Sequence, residues 1–433
     1  KSTFDWSVMR LLHTSDWHLG IQNRTTSRDA DHAIFLTWLL AELETQQIDT
    51  LVVAGDIFDS KQPSAQALGR YYSFLGRVRD TGVAQVIVVG GNHDSGARLD
   101  APAEMLGAMR VHVVGGLPTS EAAWERCVVP LYNRDGAIGA VALAVPYVHE
   151  FRLGVRTTDT DYAAMRAAFE QRFGRLYSHL TDIARAAHPG LPVIATGHLT
   201  LGTAKREDYP YEIHQVGAID GLPASVLDSR IQYTALGHIH RSYPVGPQRR
   251  AWYSGSPVAF DLAESQTPRK VLLVTLAADP DGRAEVVPLV VPAARGLVAL
   301  SAEPDALLAE IRALTWTEPL PPLLYCRVVT DAMPTDMGVR VHEALATFVA
   351  SNRPGLAELR PERVTALVTL EDEAMQRPLE ELEPAEVFAT LCRGRGLVDT
   401  DALMRAFASV AGLVDVEDAE LEPLLAQIVG GEA

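Results

Sequence analysis

Five short apolar runs in the first 260 residues each end in a small residue followed at once by Asp, Asn or His. Residues 11–14 lead into Ser15-Asp16-Trp17-His18, and residues 49–54 into Gly55-Asp56-Ile57-Phe58-Asp59. Residues 83–89 lead, through Gly90, into Gly91-Asn92-His93-Asp94. Residues 192–196 precede Gly197-His198, and residues 233–236 precede Gly237-His238-Ile239-His240. Runs this short and β-branched read as buried strands. Between them lie stretches of helical spacing at 32–43, 66–79 and 161–188, the last carrying Met165, Phe169, Phe173 and Leu176. This alternation predicts a layered α/β core, a β-sandwich with helices on its faces.

The rest of the chain reads differently. Residues 271–276 and 285–291 form a hairpin through Asp279-Pro280-Asp281-Gly282. From Leu297 the pattern is strand, helix (304–314), strand (323–329), helix (336–349), strand (363–368), a small α/β module. The tail carries two short amphipathic stretches, one with Val387, Phe388 and Leu391, the other with Leu403, Met404 and Phe407. Three parts are therefore expected at 9–292, 293–370 and 371–433. Residues 1–8 precede Met9, which reads as a more natural start, and are expected to be an extraneous leader without a secretory pattern.

The net charge of −17 speaks against a nucleic-acid binder when taken whole. From Glu371 onward, however, fifteen acids face four bases, so most of the excess lies in the tail. Cys127, Cys326 and Cys392 are far apart and show no metal spacing. They imply buried thiols, a reducing compartment and a cytoplasmic protein. No apolar run approaches the ~18–20 residues needed to span a bilayer.

Residues two apart on extended chain face the same side, so Asp16 and His18 aim together, as do His238 and His240. Ligands in open α/β sheets gather at the carboxyl ends of strands. Mixed Asp, Asn and His donors suit borderline divalent ions such as Mn, Fe or Zn. One ion is expected on Asp16, His18, Asp56 and His240, and a second on Asp56, Asn92, His198 and His238. Two such ions about 3.5–4 Å apart activate water and stabilise an in-line displacement at phosphorus. The charge of two ions less two carboxylates leaves room for a hydroxide and a phosphodiester anion. His93 is not needed as a ligand and is expected to protonate the leaving oxygen or to stabilise the crowded phosphorane. Asp94 either orients His93 or is a plain turn carboxylate. Arg24, Arg28, Lys61, Arg98, Lys205 and Arg206 lie in loops near the motifs, where cationic side chains meet phosphates.

Taken together, the five motifs resemble the calcineurin-like metallophosphoesterase superfamily. Within it, residues 11–20, 53–59, 195–200 and 235–241, with Ser254-Gly255-Ser256-Pro257, resemble the SbcD nuclease family, related to double-strand-break repair nucleases. The resemblance implies a metallophosphoesterase domain, a capping domain, and a C-terminal helical element that docks on SbcC, an ABC-type ATPase with a coiled coil. It also implies Mn2+-dependent 3′-to-5′ exonuclease and single-strand and hairpin endonuclease activity on DNA. A homodimer is implied too, with residues 66–75 and 99–109 as candidate interface helices, and a heterotetramer with the ATPase. One departure is visible: some relatives carry His where this chain has Asp59. The alternative is a phosphoesterase for small molecules or phosphoproteins.

Overall fold

The computed structural model describes residues 9–24, 26–153, 162–202 and 221–362. Two six-stranded sheets stack face to face. The first runs Glu285–Val290, Lys270–Thr275, Arg10–Thr14, Thr50–Ala54, Gln85–Val89, Val111–Val114. The second runs Tyr243–Val245, Ala251–Tyr253, Tyr233–Gly237, Val193–His198, Ile138–Leu143, Val128–Tyr132.

The central strands are buried on both faces, which is why they read as unbroken apolar runs. Leu11, Val52, Ala54, Ile87 and Val89 belong to the core cluster shared with the second sheet. Their neighbours Leu12, Leu51, Val53, Val86 and Val88 belong to the cluster under two helices. Those helices are Asp29–Thr45, which buries Phe35, Leu39 and Leu43, and Ala65–Val78, which buries Tyr71, Phe74 and Leu75. Ser64 caps the second, its hydroxyl accepting from the Ala67 amide at 3.2 Å. On the second sheet the long helix Tyr162–Ala187 buries Phe169, Phe173, Leu176 and Leu180. The result is the expected helix, sheet, sheet, helix layering.

Parallel pairing sets the function. Arg10–Thr14, Thr50–Ala54 and Gln85–Val89 are parallel, with Thr14 opposite Val53 and Ala54 opposite Val89. Val193–His198 and Tyr233–Gly237 are parallel, with Gly237 opposite His198. The carboxyl ends carrying the five motifs are therefore level within each sheet.

A separate three-stranded parallel sheet follows, in the order Leu297–Ala302, Leu323–Val329, Gly355–Glu362. Helices Pro304–Arg312 and Met337–Leu345 pack on it around Leu307, Ile311, Leu324, Val328 and Val341. Its third strand is Gly355–Glu362, earlier than sequence pattern alone indicates. Gly355 and Pro361 disguise it, and an edge position tolerates both. The expected strand at 363–368 and the expected tail at 371–433 lie outside the described residues. One compact unit ends at Glu362. Cys127 and Cys326 are fully buried, and burial pushes both thiols up to about 12. Among the described residues no helix is long and apolar enough to cross a membrane.

The small module is fastened through Asp31, which is 1% exposed. Its carboxylate accepts from Arg28 at 2.8 Å and from Arg295, just ahead of the module, at 2.9 and 3.0 Å. Arg28 also donates to Asn23 Oδ1 and the Ala259 carbonyl. This corrects the expectation that Arg28 meets DNA: at 2% exposure, with its guanidinium held inside the protein, it cannot reach a phosphate. Removing one partner from a buried ion cluster leaves uncompensated charge. Asp31→Ala is expected to strand two arginines and cost roughly 3–5 kcal/mol, read as a lower urea midpoint of unfolding.

Candidate metal centre

The rim where the carboxyl ends meet is built from strained backbone. Asp16, His18, Asp56 and His238 all adopt positive φ, at 54°, 48°, 50° and 89°. Each costs about 1–2 kcal/mol for a residue with a side chain. Hydrogen bonds between the loops hold them there. The Asp16 amide donates to the Gly55 carbonyl, and the His18 amide to the Asp56 carbonyl, both at 3.0 Å. The His238 amide donates to Asp16 Oδ1 at 2.8 Å.

Held this way, the side chains converge into two touching clusters. In the first, His18 Nε2 lies 3.1 Å from His240 Nε2, and Asp16 offers an oxygen within reach of both. In the second, Asn92 Oδ1 lies 3.0 Å from His198 Nε2 and 3.1 Å from His238 Nδ1. Asp56 Oδ2 stands between them, 3.6 Å from His18 Nε2 and 3.2 Å from His198 Nε2. Two ligands of one ion at bond lengths near 2.1 Å stand about 3 Å apart. The donor spacing and the N/O chemistry thus fit two divalent ions. All seven residues named from sequence are brought together here.

The neighbouring groups decide which nitrogen each histidine presents. His198 Nδ1 donates to the Ala54 carbonyl at 2.9 Å, freeing Nε2. His240 Nδ1 meets Glu264 Oε1 at 2.7 Å, again freeing Nε2. Ser15 donates to Asp16 Oδ2 at 2.5 Å and lies 2.7 Å from the Ser254 hydroxyl. The Phe260 ring walls the cluster, with centroids 5.4 Å from His18 and 5.6 Å from His240. Glu264, Ser15 and Ser254 were not singled out for this role by sequence reasoning. Asp261 and Glu264 do carry capping-box spacing, a signal for a local helix start but not for a contact with His240.

His93 lies beside the first cluster, its ring 4.7 Å from His18 by centroids, and its amide donates to Asp56 Oδ1 at 2.8 Å. Its Nδ1 donates to the Asp59 carbonyl at 2.9 Å, so Nε2 is left for chemistry. Asp94 does not orient it, which corrects the first of the two expectations for that residue and leaves the turn carboxylate. Both Asp94 oxygens are taken by the amides of Gly91, Ile57 and Phe58, at 2.9, 3.1 and 3.0 Å, tying two ligand loops together. Asp59 places its carboxylate 3.5 Å from His18 Nδ1. Arg24, Lys61 and Arg98 are exposed, while Lys205 and Arg206 lie outside the described residues.

Without ions the electrostatics are those of paired buried charges. Burial works against charge on His198, yet Asp56 outweighs it and raises the imidazole to about 9. His18 is raised as well, burial being outweighed by Asp59, Asp56 and Asp16. His238, buried and beside His198, is lowered to about 3. Burial, then the Asp56 charge, pushes Asp94 up to about 6 against its three backbone donors. A histidine raised on folding stabilises the fold while protonated. For His18 and His198 that stability is complete below pH about 6.5 and lost as pH rises, toward about 9 for His198. The metal-stripped protein is therefore expected to lose thermal stability over that range, and His198→Gln to flatten the slope. Added Mn2+ should reverse the trend, because ligand histidines must be deprotonated.

Comparison with known proteins agrees with this geometry. Residues 9–242 match the calcineurin-like phosphoesterase family. The SbcD subunit of nuclease SbcCD from Escherichia coli K12 is 31% identical over 392 residues, covering 88% of this chain and 92% of that protein. Its counterpart in Rhodobacter capsulatus is 33% identical, covering 82% of this chain and 88% of its own length. That of Bacillus subtilis is 33% identical, covering 61% and 66%. With these donor clusters at its strand ends, and with relatives above 30% identity along most of its length, the chain belongs to the calcineurin-like phosphoesterases and, among them, to the SbcD nuclease family.

Proposed function

We propose that this chain is a two-metal DNA phosphodiesterase, the nuclease subunit of a complex with an ABC-type ATPase. The observation that carries the reading is the position of Asp56 Oδ2, within 3.6 Å of His18 Nε2 and 3.2 Å of His198 Nε2. Asp16, His18, Asp56 and His240 would hold one ion, and Asp56, Asn92, His198 and His238 the other. When bound, such a pair lowers the pKa of water and stabilises charge in an in-line displacement at phosphorus. Four imidazoles, two carboxylates and one amide oxygen suit borderline divalent ions such as Mn, Fe or Zn, and Mn2+ is the one the family resemblance implies.

The chain's own groups do the rest. The short loop bonds fix the ligand side chains before substrate arrives, so little reorganisation is needed. The His93 Nδ1 bond to the Asp59 carbonyl aims Nε2 outward, and in the imidazolium form that nitrogen hands its proton to the leaving oxygen. Arg24, Lys61, Arg98, Lys205 and Arg206 are proposed contacts to the DNA backbone. The activity proposed, as the family resemblance implies it, is 3′-to-5′ exonuclease on duplex ends and endonuclease on single strands and hairpins, driven by ATP through the partner. Helix Ala65–Val78 and the short helices Gly96–Asp100 and Ala103–Gly107 are the proposed homodimer surface. They expose Tyr72 and Met105. The acidic tail, with its two apolar stripes, is proposed to dock on a basic surface of the ATPase.

Two experiments test this. Asp56→Ala should abolish Mn2+-dependent cleavage of a duplex end, whereas His93→Asn should keep Mn2+ affinity and lose about 10²-fold or more in turnover. Hydrolysis of p-nitrophenyl phosphate without any cleavage of DNA would instead mark a small-molecule phosphatase. Truncation before Arg377 should leave an active Mn2+-dependent nuclease that no longer pulls down the ATPase. Full retention of that binding would refute the docking role of Val387, Phe388, Leu391, Leu403, Met404 and Phe407.

A further inference from the structure

Glu264 lies outside all five motifs, on the four-residue helix Leu262–Ser265, yet its carboxylate is spent entirely on the metal centre and its supports. Oε1 meets His240 Nδ1 at 2.7 Å. Oε2 accepts from the Phe260 amide at 2.9 Å, the residue whose ring packs on both His18 and His240. The backbone of Glu264 is fixed at both ends: its amide donates to Asp261 Oδ1 at 2.7 Å, and its carbonyl accepts from Arg269 at 3.1 Å. Arg269 also donates to the carbonyls of Ser256 and of His240 itself. The side chain is 14% exposed, so water competes weakly for its oxygens. A carboxylate acceptor keeps the proton on Nδ1 and the lone pair on Nε2, the nitrogen 3.1 Å from His18 Nε2. It also makes the imidazole a better donor than one bonded to a neutral carbonyl. In the other cluster, His198 Nδ1 meets a neutral acceptor instead, the Ala54 carbonyl.

We propose that Glu264 is a positioning residue for His240 and sets the affinity of the ion held by Asp16, His18 and His240 while leaving the other ion's site unchanged. This rests on the two-ion reading above. Glutamine cannot replace it: an amide that accepts from His240 turns its NH2 toward the Phe260 N–H, and the flipped amide selects the wrong imidazole tautomer. The test is Mn2+ titration of the full chain by calorimetry and electron paramagnetic resonance, for wild type, Glu264→Gln, Glu264→Ala, His240→Asn and Asn92→Ala. Wild type should show two classes of site. Both Glu264 variants should weaken one class by roughly 10–100-fold, and it should be the class that His240→Asn removes and Asn92→Ala spares. Metal-free Glu264→Gln should still unfold in one cooperative transition, with a midpoint lowered only by the unpaired Phe260 N–H, which separates positioning from loss of fold. Should both classes weaken alike, or neither move, the assignment of Glu264 is wrong. A wild-type chain with no paired Mn2+ sites would overturn the two-ion reading itself, and this inference with it.

Discussion

The Asp56 carboxylate is 2% exposed, and the loops of the rim are arranged around the need to satisfy it. Taking an ionised carboxylate out of water costs several kcal/mol unless donors and counter-charge replace its hydration. Here one oxygen takes the His93 amide and the other faces two imidazoles. Those contacts demand close approach. A Cβ on Gly91 would collide with Asp56, and one on Gly55 would strike the His198 ring. Gly55 moreover sits at φ +92°, where a side chain is strained. The same economy explains why Asp16, wholly buried, takes both a backbone amide and the Ser15 hydroxyl. Two fixed anionic groups so prepared favour cations between them over solvent.

What could be read from the sequence follows from the same physics. The central strands are buried on both sides, so their apolar runs are unbroken, and the break from apolar run to small residue to Asp, Asn or His marks each strand's end. Every residue of the two clusters fell at such a break. The outer strands Val111–Val114, Val128–Tyr132, Tyr243–Val245 and Ala251–Tyr253 carry shorter or mixed patterns and gave no comparable signal. Arg28 and Asp94 show the limit of reasoning from position. Both are charged residues in loops near motifs, yet one is locked in a buried ion cluster and the other in three amide bonds. Only tertiary contacts distinguish these from a solvated charge. Glu264 fails for the opposite reason: its spacing to Asp261 is a local helix signal, and nothing in the chain links it to a histidine 24 positions earlier.

Phe260 joins the metal centre to the small module. Its ring packs on His18 and His240, and its amide is bound by Glu264. Its carbonyl accepts from Asn23 at 2.7 Å and from the Tyr325 hydroxyl at 3.3 Å, the latter belonging to the module's central strand. Asn23 in turn takes Arg28, and Arg28 and Arg295 share Asp31. A chain of directly bonded groups therefore runs from the module to the histidine pair. Buried ionic clusters of this kind add little net stability compared with apolar packing, yet breaking one strands an uncompensated charge. A shift of the module large enough to break the Tyr325 and Arg295 bonds would leave Phe260 and Glu264 under-supported, and the His18–His240 pair with them.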